Sequence, residues 1–311
     1  MVLNKVSLPF VKLCVVGDVM LARNIGQRII NEGPEIPFAA VSKILEQADL
    51  RVINLECIIS NKGTPEPKAY TFQAPLSALK TLTGSRVDIV NIANNHALDY
   101  GTHALEDMIS MLKQHKMAVV GAGLNLEQAR YPAIVHHNDL RIAFLAYLDV
   151  PIEDGGFDSR SWIARSHKPG MAWATCENIF HDVTAIRSNV DLVVVMLHFG
   201  EEYLTTPTVQ QRTLAKTAID SGAILVLGTH PHVLQPIEHN RDGLIVYSLG
   251  NFIFDDKNFL ADHSAIFHVV LDKIGIREYY WTPIIIEHGL PKIAKRAEAL
   301  TISSMVQTIS S

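Results

Sequence analysis

The chain has 311 residues, 48% hydrophobic and 19% charged, with 27 Lys and Arg against 32 Asp and Glu for a formal charge of -5. That apolar content and small net charge exclude disorder, and the slight acidity excludes the basic footprint of a nucleic-acid binder. The length allows either about two domains of ~150 residues or one large α/β domain.

The N-terminal stretch through Met20 is broken by Lys12 and lacks a small-residue cleavage site, so it reads as a strand and not a secretory leader. No run approaches the roughly 18 apolar residues of a membrane span, and a soluble, cytoplasmic protein is expected. Cys14, Cys57 and Cys176 make an odd count; the first two sit in apolar runs, where a free thiol behaves as a small hydrophobe, and no disulfide framework is implied.

In chain order, short runs rich in β-branched residues occur at 11–17, 51–55, 87–93, 117–121, 141–147, 191–197, 223–228 and 244–249. Continuous apolar runs of this length suggest strands buried on both faces. Amphipathic stretches at 37–48, 101–116 and 206–222 predict helices, the last opening at Thr206-Pro207 and closing at Gly222. The alternation of strand and helix argues an α/β fold with a largely parallel sheet. With no repeat and no linker, a single domain over 8–290 is expected, followed by a polar tail at 291–311. The irregular segments 63–75 and 152–170 are expected to wall a substrate site, because long loops in compact domains often do.

The predicted strands end in polar residues: Asp18, then Asn54 and Glu56, then Asn94, Asn95 and His96, then His198, then Thr229, His230 and His232. Ligands of open α/β sheets sit beyond the carboxyl ends of strands, so these side chains can converge. A set of Asp, Glu, Asn and His is the mix that divalent cations prefer, whereas any one of them alone would more often be structural.

The ordered motifs GDVMLAR (17–23), INLECIIS (53–60), NIANNHALDYG (91–101), LHFGEEY (197–203), GTHPHVLQP (228–236) and YSLGNFIFD (247–255) resemble those of the bacterial capsule-synthesis CapA, or poly-γ-glutamate capsule, family. That family lies within the calcineurin-like metallophosphoesterase superfamily. The resemblance spans about residues 10–256, and it implies a four-layer α/β/β/α sandwich with a metal site at the sheet edges. Carried over residue by residue, Asp18 and Glu56 are metal ligands, Asn95, His198, His230 and His232 complete the set, and His96 is the catalytic histidine. The superfamily's Asp-x-His on the first strand reads Asp18-Val19-Met20 here, so one histidine ligand is missing. The resemblance thus implies unequal sites: a full one from Glu56, Asn95, His198 and His230, and a weak or vacant one from Asp18, Glu56 and His232, since a thioether is a poor ligand for a hard cation. The metal is Mn, Fe, Zn or Mg, all of which accept this donor mix.

The three-residue spacing of His96 and Asp99 suits a dyad in which the carboxylate orients the imidazole; Asp99 is equally placed to cap the helix opening at Gly101. Arg23 is a candidate fork-shaped donor to a substrate anion or a solvated helix-start residue. Tyr203 is a candidate substrate-binding or packing residue, and Glu202 a candidate orienting partner of His198. Asn251 is expected to satisfy backbone groups at a turn. His103, His115, His136, His137, His181 and the other remaining histidines are expected at the surface.

The function this implies is a metal-dependent hydrolase of the phosphoesterase type, with a metal-activated hydroxide as nucleophile and His96 as general acid. The alternatives are a role in poly-γ-glutamate capsule synthesis or amide hydrolysis, a metal-poor acid/base enzyme on a peptide (for example epimerase-like), and a non-catalytic subunit. The expected partner is a small phosphate ester, a peptide or an anionic polymer, with no nucleic acid and no membrane span.

Overall fold

The structure, a computed structural model, describes residues 9–153, 155–256 and 258–309; the first residues of the expected opening strand and of the 8–290 domain, and Asp154 of the 152–170 segment, lie outside them. Two large sheets dominate. The first has the order Leu290–Ile293, Gly275–Glu287, His263–Asp272, Phe10–Val19, Leu50–Leu55, Ile89–Asn91, Ala118–Val120, and the short strand Asn251–Ile253 also pairs with Phe10–Val19. The second runs Thr308–Ile309, Ile237–Asn240, Gly243–Val246, Leu225–Thr229, Leu192–Phe199, Leu140–Asp149, Ala133–His137.

Alternation along the strands explains the packing. In Leu140–Asp149, Ile142, Phe144, Ala146 and Leu148 join one buried cluster with Leu13, Val15 and Val52 of the first sheet. The intervening Ala143, Leu145 and Tyr147 join a second cluster with Ile179 and Val183 of helix Cys176–Ile186 and Leu214 and Ala218 of helix Val209–Ser221. Period-2 patterning thus sends one face to the other sheet and one to helices. Helix Gly101–Gln114 buries Ala104, Leu105, Met108 and Leu112, a 3.6-residue stripe, in the first cluster.

Every predicted strand forms, but the sheets are mixed and not simply parallel. Parallel pairs link the opening strand to Leu50–Leu55 and on to Ile89–Asn91, and Leu192–Phe199 to both of its neighbours. Antiparallel pairs occupy the flanks: the opening strand meets His263–Asp272, which forms a hairpin with Gly275–Glu287. A tight turn suffices for such a hairpin, whereas a parallel neighbour needs a crossover. The stretch beyond Leu290, expected to be a polar tail, instead supplies strand Leu290–Ile293 and helix Arg296–Met305, whose Ile302 is fully buried against Leu234 and Ala265.

The helix expected at 37–48 is reduced to a 3-10 turn at Ile36–Phe38 and a four-residue helix, Ser42–Leu45; Pro37 sits inside that turn and removes a backbone donor where a longer helix would need one. The helix expected from Thr206 starts at Val209, because Thr208 and Gln211 form a reciprocal capping box. Helix Cys176–Ile186 was not anticipated from the sequence, whereas Arg23 opens helix Arg23–Glu32, the helix start that one reading of it supposed. Among the described residues, no helix is long and apolar enough to cross a membrane. Cys14 and Cys57 are buried, and burial pushes both thiols up to about 12, consistent with inert core residues.

Candidate metal centre

The parallel strands of both sheets deliver their carboxyl ends to one place. Asp18 is in register with Asn54 on one side and Asn251 on the other, and His198 with Thr229. Two motif glycines permit the close approach this requires: a Cβ at Gly17 would stand 1.9 Å from the Gly250 carbonyl oxygen, and one at Gly228 would stand 2.0 Å from that of Tyr247. His230 and His232 hold φ of 99° and 60°, and neighbouring Tyr203 and Arg23 hold 61° and 52°. Left-handed backbone costs a non-glycine residue about 1–3 kcal/mol, and such positions concentrate where side chains must be aimed at a site.

Asp18, Glu56 and His198 are wholly buried, and Asn95, His230 and His232 nearly so. The ligand atoms of Asp18, Glu56 and His232 lie within 4.8 Å of one another, as do those of Glu202, His230 and His232. Of the set expected for the fuller site, three members adjoin: His198 Nε2 lies 2.9 Å from Asn95 Oδ1, and its ring centroid 4.9 Å from that of His230, while Glu56 gathers with Asp18 and His232. Burial raises the Asp18 carboxyl above its usual range; burial and then the adjacent Asp18 charge raise Glu56 well above its own. Burial likewise holds His198 and His230 well below the usual imidazole value, in the neutral form that ligates. Glu56 Oε1 and His230 Nδ1 have no hydrogen-bond partner although both are buried. Crowded buried carboxylates, neutral imidazoles and orphaned donor atoms are what a divalent cation would satisfy, so the residues fit one.

Supporting contacts orient these groups. Asn54 Nδ2 donates to Asp18 Oδ1 at 2.7 Å and to Glu56 Oε2 at 3.2 Å. Thr229 Oγ1 lies 2.9 Å from His198 Nδ1, so His198 is steadied by Thr229, whereas Glu202 gathers with His230 and His232. Asn251 opens strand Asn251–Ile253, and its side chain serves His232 in place of the backbone groups of a turn: its Oδ1 lies 2.8 Å from His232 Nδ1, which leaves Nε2 toward Glu56 Oε1 at 3.8 Å. Met20, in the position expected to lack a histidine ligand, is buried with its sulfur accepting a hydrogen bond from Ala22 N.

His96 Nδ1 lies 2.7 Å from Asp99 Oδ2, and Nε2 faces Glu56 Oε1 at 3.9 Å. Asp99 does not cap the following helix, whose N-cap is Tyr100 with no side-chain bond; its Oδ2 instead accepts from Phe72 N at 2.6 Å. The imidazole stacks on Phe72 at 4.1 Å between centroids, and burial lowers its proton affinity.

Two cavities flank the cluster and share Glu202 and Tyr203. One of about 280 Å³ is lined by Arg23, Phe72, His96, His232 and Phe254 among others; one of about 650 Å³ by Asp149, Glu153, Gln210 and His230 among others. Arg23 reaches the smaller cavity but is paired with Asp255 at 3.3 Å. The Tyr203 hydroxyl donates to Asp256 Oδ2 at 2.9 Å.

The profile of the bacterial capsule synthesis protein PGA_cap family matches residues 12–256, a span that contains every candidate ligand at the strand ends. The chain belongs to the PGA_cap family. Among curated relatives of this PGA_cap chain, the PGA biosynthesis protein CapA of Bacillus subtilis (strain 168) is 31% identical over 284 residues, 90% of this chain and 73% of the relative. The capsule biosynthesis protein CapA of Bacillus anthracis is 30% identical over 288 residues, 90% of this chain and 68% of the relative. Among solved structures, a Staphylococcus aureus protein provisionally described as a 5′-nucleotidase superposes with a TM-score of 0.54 at 12% identity, over 95% of this chain and 58% of that chain. At that identity the likeness concerns the fold alone.

Lys68 and Glu153 were not singled out from the PGA_cap sequence, and Asn54 and Thr229, named among the strand-end residues, were given no role of their own. Asn54 and Thr229 stood inside quoted motifs next to ligands, and that adjacency was the available signal. Lys68 and Glu153 lie in the two irregular segments, where no periodicity marks a buried position.

Proposed function

We propose that this PGA_cap chain is a metal-dependent hydrolase of the phosphoesterase type, built as one domain over 8–290 on a four-layer α/β/β/α scaffold of the metallophosphoesterase kind. The observation that carries the reading is the aim of His96: Asp99 holds Nδ1, and Nε2 faces Glu56 of the ligand cluster. Divalent cations held by Asp18, Glu56 and His232, and by Glu56, Asn95, His198 and His230, would supply Lewis-acid polarisation of a substrate oxygen and acidify water. His96 donates the Nε2 proton to the leaving oxygen, Asp99 accepts the Nδ1 hydrogen bond throughout, and Phe72 shields one face of the ring from water. Arg23 and Tyr203, at the mouth of the smaller cavity, bind the substrate. Met20 adds no hard ligand to the Asp18 set, so the two ions are retained unequally.

A second reading, cleavage of an amide in an anionic glutamyl polymer, is favoured by relatives named for PGA and capsule biosynthesis. The test is hydrolysis of 4-nitrophenyl phosphate and of a γ-glutamyl peptide with added Mn²⁺. The phosphoesterase reading expects Mn²⁺-dependent turnover of the ester, with His96→Ala lowering kcat by about 10²–10⁴-fold while metal is retained. Turnover of the peptide alone selects the second reading. No turnover of either with Mn, Fe, Zn or Mg overturns both in favour of a non-catalytic or acid/base role. Two equally retained ions after dialysis, by elemental analysis, would contradict the unequal pair.

A further inference from the structure

Behind the His96–Asp99 dyad lies a buried cation that the proposed chemistry does not use. The Lys68 side chain is only 1% exposed, and its ammonium contacts Asn95 O at 2.6 Å, Asp99 Oδ1 at 2.9 Å and Glu153 Oε2 at 2.6 Å. The Asn95 carbonyl accepts a hydrogen bond from the ammonium, and the two carboxylates flank it as ion-pair partners. The rings of Trp162 and Phe157 cover it at 4.9 and 5.5 Å. Glu153 is fixed in turn: Oε1 accepts from Ser159 Oγ at 2.9 Å, and Oε2 faces Asn95 Nδ2 at 3.4 Å. With Nδ2 on the Glu153 side, the Asn95 amide presents Oδ1 to His198 Nε2 at 2.9 Å.

Desolvating an ammonium and two carboxylates costs several kcal/mol per ion, and replacing such a group with apolar residues is often neutral or stabilising. Its geometry is more telling than its contribution to stability. Lys68 comes from the 63–75 segment and Glu153 and Ser159 from the 152–170 segment, so two loops distant in sequence meet on the backbone and side chain of one turn, Asn95–Asp99. Lys68 grips that turn at both ends, at the Asn95 carbonyl and the Asp99 carboxylate.

We propose that Lys68 and Glu153 are positioning residues that lock the Asn95–Asp99 turn, Lys68 holding Asp99 behind His96 and Glu153 holding the Asn95 amide with its oxygen toward the metal side. The assignment of His96 rests on the hydrolase reading; the orientation of the two side chains does not. Contacts that orient ligands and catalytic groups typically change metal affinity or activity by about 10–100-fold when removed.

The experiment compares wild type, Lys68→Met and Glu153→Gln in three measurements on the full chain: Mn²⁺-dependent ester hydrolysis, Mn²⁺ affinity by calorimetry, and ¹⁵N-histidine NMR of the metal-free protein. Lys68→Met is expected to lower kcat about 10–100-fold with KM within twofold, and to shift or broaden the hydrogen-bonded His96 Nδ1 proton resonance. Glu153→Gln, which keeps the Lys68–Asp99 pair, is expected to weaken Mn²⁺ binding at least tenfold while leaving that resonance in place. Wild-type kcat and an unmoved resonance in Lys68→Met would overturn the role of Lys68, and unchanged Mn²⁺ affinity in Glu153→Gln would overturn that of Glu153. Should Lys68→Met fail to fold, Lys68→Gln takes its place in the same measurements, with the same outcomes deciding the role of Lys68. If the wild type hydrolyses nothing, the hydrolase reading fails, and the resonance and affinity still decide the positioning claim.

Discussion

At the residue scale, environment separates histidines that share one side chain. His103, His115, His136 and His181 are exposed, as expected from their polar surroundings, whereas His268, grouped with them by sequence, is buried. Its Nδ1 lies 3.1 Å from Cys14 Sγ, its Nε2 2.9 Å from Thr282 Oγ1, and its ring stacks on Tyr280 at 4.3 Å. Burial lowers its pKa to about 4. The unfolded chain takes up this proton as the pH falls below about 6.5, while the folded one refuses it until about 4, so stability is lost on acidification through that window. The loss is on the order of 2 kcal/mol once partial solvent screening is allowed for. His268→Gln, which can keep both hydrogen bonds, is expected to flatten the fall in urea midpoint between pH 7 and 4.5; an unchanged fall would assign it to other groups. His96 and Asp99 were legible as a pair because three residues separate them. Lys68 was not: a lysine in a loop reads as solvated until the aromatic lid of Trp162 and Phe157 is seen.

At the scale of elements, hydrophobic runs predicted the strands well because a strand buried on both faces tolerates few polar residues. Helix ends and strand directions were harder to read. Thr208 displaced Thr206 as the cap because only the former has Gln211 three residues on to close the box. The segment beyond Leu290 looked polar because much of it is exposed, yet helix Arg296–Met305 anchors one residue, Ile302, against Leu234, Ala265 and Val306. Ile302→Ala is therefore expected to destabilise the fold by about 2–4 kcal/mol, the range for truncating a buried isoleucine. A chemical-denaturation midpoint equal to wild type would show this helix to be an appendage and not part of the core.

At the scale of the whole molecule, the two sheets share one core and place acidic and histidine side chains where their parallel strands end. Asp18 and Glu56 side by side and wholly buried are costly without a cation, and an ion held there with His230 and His232 would tie the two sheets together. Mn²⁺ at about 100 times its dissociation constant is expected to stabilise the fold by about 2.7 kcal/mol, raising Tm by about 5 °C. Asp18→Asn should shrink that shift, and a Tm indifferent to Mn²⁺, Zn²⁺ and Mg²⁺ would argue against a metal centre. The sequence by itself determined the α/β class, the polar residues at the strand ends and the family, because each is written in local patterns: apolar runs, a glycine beside an acid, a histidine at fixed spacing. Only the tertiary structure decided that the sheets are mixed, that Asn251 steadies His232, and that Lys68 and Glu153 meet behind His96. Those contacts join segments tens to hundreds of residues apart, and no local period in a chain records which of its distant loops will close on one another.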